Sequence, residues 1–167
     1  MRVDFTDYVA GQRPALMRFA TILTSQTWLA DDLVSDVLGR AFERWDRISL
    51  MAEPNAYVRR MIVNEYLSWR RRLARTVPRA DVEPNLPVGD AAAQHAERDA
   101  MIGRLAQLSK RQRAAVVLRF YVGLDDAGIA DYLGCAEGTV RSLISRALTA
   151  LRLDTTPIAY ANLETQS

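Results

Sequence analysis

Between Leu124 and Arg152 the chain reads LDDAGIADYLGCAEGTVRSLISRALTALR, and its apolar residues leave room for two helices with almost nothing between them. In the first, over Asp125 to Leu133, Ile129 and Leu133 recur one turn apart beside Ala130, and Gly134 follows as a left-handed stop. Cys135 and Ala136 make the corner. The second, from Glu137, sets Val140, Ile144, Ala147, Leu148 and Leu151 on one stripe and Arg141, Ser142, Ser145 and Arg146 on the other. This is the pattern of a helix-turn-helix. Its apolar stripe anchors the second helix, and its polar stripe can meet base edges in a major groove, where arginine makes paired hydrogen bonds to guanine. Any amphipathic hairpin shows the same two faces, so periodicity leaves open whether the polar stripe reads DNA or only meets water.

The rest of the chain bears on that choice. Its 167 residues suffice for one domain or two small ones, and 49% are hydrophobic, enough for modest cores. The 22 basic and 20 acidic side chains give a net charge of only +2, so a nucleic-acid surface has to arise from local segregation of charge. Cys135 is the single cysteine, which excludes an internal disulfide and a cysteine-built zinc site. No apolar run approaches the roughly 20 residues that span a bilayer, so the expectation is a soluble, cytoplasmic protein with no membrane partner.

From Val3 to Leu23, Phe5, Tyr8, Val9, Leu16, Phe19, Ala20 and Leu23 recur at helical spacing, with Gly11 and Pro14 between them. This predicts two helices, the second opening near Arg13 with proline in its first turn. Thr27 is the expected N-cap of a helix to about Trp45, with Leu29, Leu33, Val37 and Ala41 on one stripe and Val34, Leu38, Phe42 and Trp45 beside it. Its other face is acidic at the start (Asp31, Asp32, Asp36) and basic at the end (Arg40, Arg44), a solvated surface or a docking surface. Ser49 to Asn55 is an expected loop. The next helix, to about Leu73, places Val58, Ile62, Tyr66 and Trp69 on a core stripe. Here the charge segregates: from Asn55 to Arg75 six arginines, Arg59, Arg60, Arg70, Arg71, Arg72 and Arg75, face only Glu65, for a net +5. Such a segment attracts phosphate, and its aromatics could stack on unpaired bases or belong to the core.

Thr76 to Ala96 changes character, with Pro78, Pro84, Pro87 and Gly89, and reads as an acidic linker with a short helix toward its end. A second unit begins near Arg98 with Met101, Ile102, Leu105 and Leu108. Ser109 and Gln112 form a capping box that opens a helix running to Tyr121 and stopped by Gly123. After Arg152 the stripe ends, leaving a tail.

Nothing here supports an enzyme. Asp32 and Asp36 share a helical face, but a hard-metal site wants more oxygen ligands than they supply. His95, the only histidine, falls in the expected linker. There is no phosphate-binding glycine loop and no nucleophile motif, so no catalytic residue, metal or cofactor is assigned.

The stretch LSKRQRAAVVLRFYVGLDDAGIADYLGCAEGTVRSLISRALTALR, Leu108 to Arg152, resembles region four of bacterial sigma factors of the extracytoplasmic-function (ECF) group, with its EGTV(K/R)S recognition helix. DDLVSDVLGRAFERWDRI, Asp31 to Ile48, and PNAYVRRMIVNEYLSWRRR, Pro54 to Arg72, are similar to region two of the same group, and the WRRR ending resembles its actinobacterial sigma-E-like branch. The resemblance covers most of the chain. It departs at Ser35, where glutamine is usual, at Gly128, where glutamate is common, at Ala136 in place of a serine N-cap, and at Leu143 in place of a polar residue.

What the resemblance implies is an all-α protein of two small helical domains, residues 1–75 and 98–153, joined by a flexible linker at 76–97 and followed by a tail at 154–167. It would be a sigma factor that brings core RNA polymerase to promoters and assists strand opening. Asp32, Leu33, Asp36, Val37 and Arg40 would bind the beta-prime clamp. Asn64, Arg60, Arg70 and Arg71 would meet the opened promoter, with the Ser49–Asn55 loop pocketing a flipped base. Arg141, Ser142, Ser145 and Arg146, with Thr139 and Arg119, would contact duplex DNA. An anti-sigma factor is a candidate further partner. At this point a helix-turn-helix regulator of another kind, or a polymerase-binding protein without promoter recognition, stands as the alternative.

Overall fold

The computed structural model describes residues 3–73 and 92–153. Among these there are eight α-helices and no strand: α1 Phe5–Thr24, α2 Thr27–Glu43, α3 Trp45–Ile48, α4 Pro54–Leu73, α5 Ala92–Ala106, α6 Lys110–Val117, α7 Asp126–Leu133 and α8 Glu137–Leu153. A π-helical turn, Leu118–Val122, continues α6. The all-α expectation holds. The strap up to residue 91, the tail from residue 154 and the side chains of Trp69, Arg70, Arg71 and Arg72 lie outside the described residues.

The first unit is built on α1, α2 and α4, each packed on the other two. Contrary to the expected break, α1 is one helix with Pro14 inside it. An interior proline costs about 3 kcal/mol, whereas Tyr8, Leu16, Phe19, Ala20 and Leu23 are all buried on one stripe that runs through it. Burying four large side chains at roughly 1.5–3 kcal/mol each outweighs the lost hydrogen bond. Asp4 caps the helix by accepting from the Thr6 amide, and Ser25 ends it with φ of 62°. The cap of α2 falls on Gln26 rather than Thr27, with no side-chain bond. α2 stops at Glu43, two residues early, and the turn at Arg44 reorients the chain so that Trp45 and Ile48 of α3 are buried while Phe42 is left exposed.

In the second unit the capping box is present: Ser109 Oγ accepts from the Gln112 amide at 3.2 Å, and Gln112 Oε1 accepts from the Ser109 amide at 3.2 Å. Gly123, at φ 85°, ends the π-helical turn, and the Leu124 amide reaches back to the Leu118 carbonyl at 3.0 Å. α8 lies against α6 and α7. His95 sits exposed near the start of α5, where a helix was expected toward the end of the linker.

The two units also touch. α7 and α6 lie on α4, and α5 and α6 lie on α1. At the centre is Arg113, only 8% exposed. Its guanidinium donates to the Leu23 carbonyl (3.2 Å) and Ser25 Oγ (3.3 Å) of the first unit, and to the Ala106 (2.8 Å) and Leu108 (3.3 Å) carbonyls of its own.

Candidate nucleic-acid interface

The expected helix-turn-helix is α7 and α8. Asp125 caps α7 by accepting from the Gly128 amide at 2.8 Å, and Gly134, at φ 61°, closes it. Gly128 is the third residue of α7, where a Cβ would lie 3.2 Å from the capping Asp125 oxygen; nothing in the structure explains the departure. Val140 and Ala147 of α8 are fully buried, with Ile144 and Leu151 packed against the same core. Thr139, Arg141, Ser142, Ser145 and Arg146 are all exposed on the outer side. Leu143, unexpected on a reading face, is half-buried against the core, so its apolar side chain extends the anchor.

What sequence did not show is how the arginines are held. Asp126, in the first turn of α7, receives both Arg119 and Arg141, the latter at 3.2 Å, and Glu137 stands 3.9 Å from the same Arg141 nitrogen. Arg119 therefore braces the two helices more than it faces outward. Arg141 keeps 62% of its side chain exposed, and an ion pair this open is worth no more than about 1 kcal/mol, which a base contact can displace. The missed residue is Asp126; its signal was acidic charge at a helix N-terminus, which reads equally well as a dipole effect.

In the first unit the expected clamp-binding set divides. Asp32, Ser35 and Asp36 are exposed on the outer face of α2. Leu33 and Val37 are 1% and 0% exposed in the core, so neither can meet a partner, and both are corrected to structural residues. Arg40 bridges inward, 3.1 Å from Asp36 and 2.7 Å from the buried Glu65 of α4, and so ties the acidic face to the basic helix. Asp31 is held by Arg13 at 2.9 Å.

On α4, Asn64 is exposed, and Arg60 is paired with Asp131 of α7 at 2.6 Å. Tyr66 is core, not a stacking platform: burial raises its phenol pKa, opposed by the charge of Arg113, and Lys110 Nζ lies 5.1 Å from the ring centroid. The Ser49–Asn55 loop does not by itself make a pocket, because Asn55 is spent. Its Oδ1 accepts from Tyr8 at 2.8 Å, and its Nδ2 donates to Gln12 at 2.6 Å. Beside the loop lies a cleft of ≈ 330 Å³, floored by Ile48, Met51 and Tyr57 and rimmed by Arg44, Arg47, Glu43 and Asp46. Four of its seven lining side chains are charged, two basic and two acidic, over a small apolar floor that a flat, partly polar guest could cover. Arg44 and Arg47 were missed because the break between α2 and α3 carries no proline or glycine to announce it. Among the described residues no three metal-ligating side chains cluster, and no helix is long and apolar enough to cross a membrane.

A helix-turn-helix packed beside a second helical unit with an acidic outer face and a basic helix is an arrangement that suits a DNA-binding protein. Comparison with known proteins gives the family. Residues 9–76 match the family model for sigma-70 region 2, and residues 98–151 match that for sigma-70 region 4. The RNA polymerase sigma-E factor of Streptomyces coelicolor is 36% identical over 151 residues, covering 90% of this chain and 85% of that protein. The ECF RNA polymerase sigma factor SigL of Mycobacterium tuberculosis is 33% identical over 158 residues, covering 92% and 87%. Among solved structures, the sigma factor RpoE of Bartonella quintana, in complex with the anti-sigma factor NepR, superposes with a TM-score of 0.67 at 28% identity, covering 90% of this chain and 95% of that one. The chain belongs to the RNA polymerase sigma factors of the ECF group. Its function is that of a transcription-initiation factor working with core RNA polymerase on promoter DNA; it is not an enzyme. This sets aside the regulator of another kind.

Proposed function

We propose that this sigma factor docks on the beta-prime clamp through the outer face of α2, at Asp32, Ser35 and Asp36, with Arg40 fixing that face to α4. The cleft between Arg44, Arg47 and Tyr57 holds an unpaired promoter base, while Arg60 and Asn64, one turn apart on α4, follow the strand leaving it. Opening a duplex needs no bond-making. Unstacking costs a few kcal/mol, which a pocket and backbone contacts must offset. Arg70 and Arg71 extend the same basic helix. The duplex is read by α8. Its site of action is the cytoplasm, and an anti-sigma factor is a further partner, a reading supported by the likeness to the Bartonella protein solved with one.

The observation that carries the duplex reading is the exposure of Arg141, Ser142, Ser145 and Arg146 along one side of α8 with Val140 and Ala147 wholly buried behind them. Arg141 is in the first turns, nearest base edges, and Arg146 lies more than a turn further on, toward the backbone. Binding-site selection with the holoenzyme tests this. Arg141→Ala should change the preferred distal sequence at a cost of about 1–3 kcal/mol for a lost guanine contact. Arg146→Ala should weaken all sites alike and shallow the salt dependence. An unchanged selected sequence in folded Arg141→Ala would refute duplex reading by this stripe.

A further inference from the structure

α8 presents two arginines on its outer side, and their surroundings differ. Arg146 is exposed and makes no ion pair among the described residues. Arg141 is flanked by acid: its Nη1 donates to Asp126 Oδ2 at 3.2 Å and stands 3.9 Å from Glu137 Oε2. A Cβ built on Gly138 would lie 3.8 Å from Arg141 Nη2, so the guanidinium leans back over the first turn of α8, and glycine puts no side chain against that nitrogen.

Asp126 is held in turn. Its other oxygen, Oδ1, accepts from Arg119 on the π-helical turn. With side chains 29% and 26% exposed, that pair is far better shielded than the one to Arg141, which keeps 62% of its side chain open. One carboxylate thus serves two guanidinium groups, one oxygen each, and Arg119 fixes the oxygen left for Arg141.

We propose that Asp126, aided by Glu137, is a positioning residue for base recognition: it balances the charge of Arg141, so that this arginine reads a neutral guanine edge and leaves phosphate to Arg146. The proposal rests on the reading of duplex DNA by α8 under Proposed function. Carboxylates at 3.2 and 3.9 Å lie well inside the screening length of about 8 Å at physiological salt, so a phosphate drawn to Arg141 meets their repulsion as well. Guanine carries no net charge. Its O6 and N7 ask only for two N–H donors side by side, and Nε and Nη2, the edge of the fork that Asp126 does not occupy, supply them. A bare arginine at this place would take a backbone phosphate wherever no guanine is offered, and so would lift binding to every wrong sequence. Asp126 removes that second choice.

Holoenzyme binding to two duplexes tests this: the sequence selected by the wild type, and the same sequence with adenine in place of the guanine whose preference Arg141→Ala loses. The ratio of the two dissociation constants is the readout, since a uniform gain from removing a negative charge cancels in it. Asp126→Asn should lower the ratio about two- to five-fold, the size of one exposed ion pair, and should steepen the salt slope on the adenine duplex by about one. Glu137→Gln, at a side chain 56% exposed, should act in the same direction but less, and it serves as the second variant if Asp126→Asn loosens α7. Both effects should vanish in an Arg141→Ala background. A preference lost in Arg141→Ala with the ratio intact in both carboxamide variants would overturn the charge balance alone, and so would a ratio that falls further with Arg141 already gone. An unchanged selection in Arg141→Ala would overturn the reading by α8, and this proposal with it.

Discussion

Replacing Arg113 by methionine tests how much of the fold hangs on one buried cation. Methionine preserves most of the volume while removing every donor. Four acceptors then lose a charged partner: the Leu23 carbonyl and Ser25 Oγ in the first unit, and the Ala106 and Leu108 carbonyls at the corner between α5 and α6. A hydrogen bond to a charged group is worth about 1.5–3 kcal/mol, and the two shortest, at 2.8 and 3.2 Å, should carry most of the effect. Against that stands the desolvation of a cation 8% exposed, which methionine relieves. The balance should be a loss of about 2–4 kcal/mol, on the order of a quarter or more of a small protein's stability.

The assay can say where the loss falls, because all three tryptophans, Trp28, Trp45 and Trp69, lie in the first 75 residues. In urea, tryptophan fluorescence follows the first unit, and far-ultraviolet circular dichroism follows both. Arg113→Met should lower the dichroism midpoint and split it from the fluorescence midpoint, since the second unit loses its own corner as well as the contact to α1. Coincident and unshifted midpoints would refute the view that Arg113 holds the α5–α6 corner to α1.

On the outer face of α2, Asp32→Arg combined with Asp36→Arg should weaken co-migration with core polymerase at least ten-fold while leaving helicity intact, as measured by native gel shift and circular dichroism; full retention of binding would remove α2 as the docking face. Tyr8 makes an alkaline prediction: burial, opposed by Arg59, pushes its phenol up to about 12 from an ordinary 10.0. The unfolded chain therefore releases this proton first, so its contribution is whole below pH 10, falls as pH rises, and is lost above about 12, a span of about 2–3 kcal/mol. Urea midpoints at rising pH should fall less steeply in Tyr8→Phe, and Tyr66, also raised by burial, adds slope of the same sign.

Helices and core were legible in this sequence because burial in an all-helical protein is written at a single period. The stripes on α2, α4 and α8 named Val34, Leu38, Ile62 and Val140 correctly as interior. The same period could not separate a residue that supports a face from one that forms it. Leu33 and Val37 flank the exposed Asp32 and Asp36 within one turn, so carrying a whole motif over as a contact set swept two core residues into it. The turn at Arg44 was invisible for a different reason. No local residue demands it; it follows from tertiary packing, which buries both Trp45 and Ile48 and sets Trp45 edge-on to Phe5 at 5.3 Å. Without that turn there is no cleft, so the pocket was the least readable part of the site.

Charge was legible in number and not in pairing. Arg40, Arg60, Arg119 and Arg141 all point in sequence to an electropositive surface, yet each meets a carboxylate: Asp36 and Glu65, Asp131, Asp126, and Asp126 with Glu137. That is how a chain of net charge +2 can be a DNA-binding protein without being a polycation. Where the side chains are exposed, each pair is worth no more than about 1 kcal/mol, so it yields wherever a phosphate or a guanine is presented in register, and holds where none is. Arg119 and Asp126, only 29% and 26% exposed, stay paired as a brace, and Arg40 is held hardest, because its partner Glu65 is buried in α4 and breaking that pair would strand a charge in the interior. The Arg40–Glu65 pair thus ties the acidic face of α2 to α4, so the two helices should move as one body.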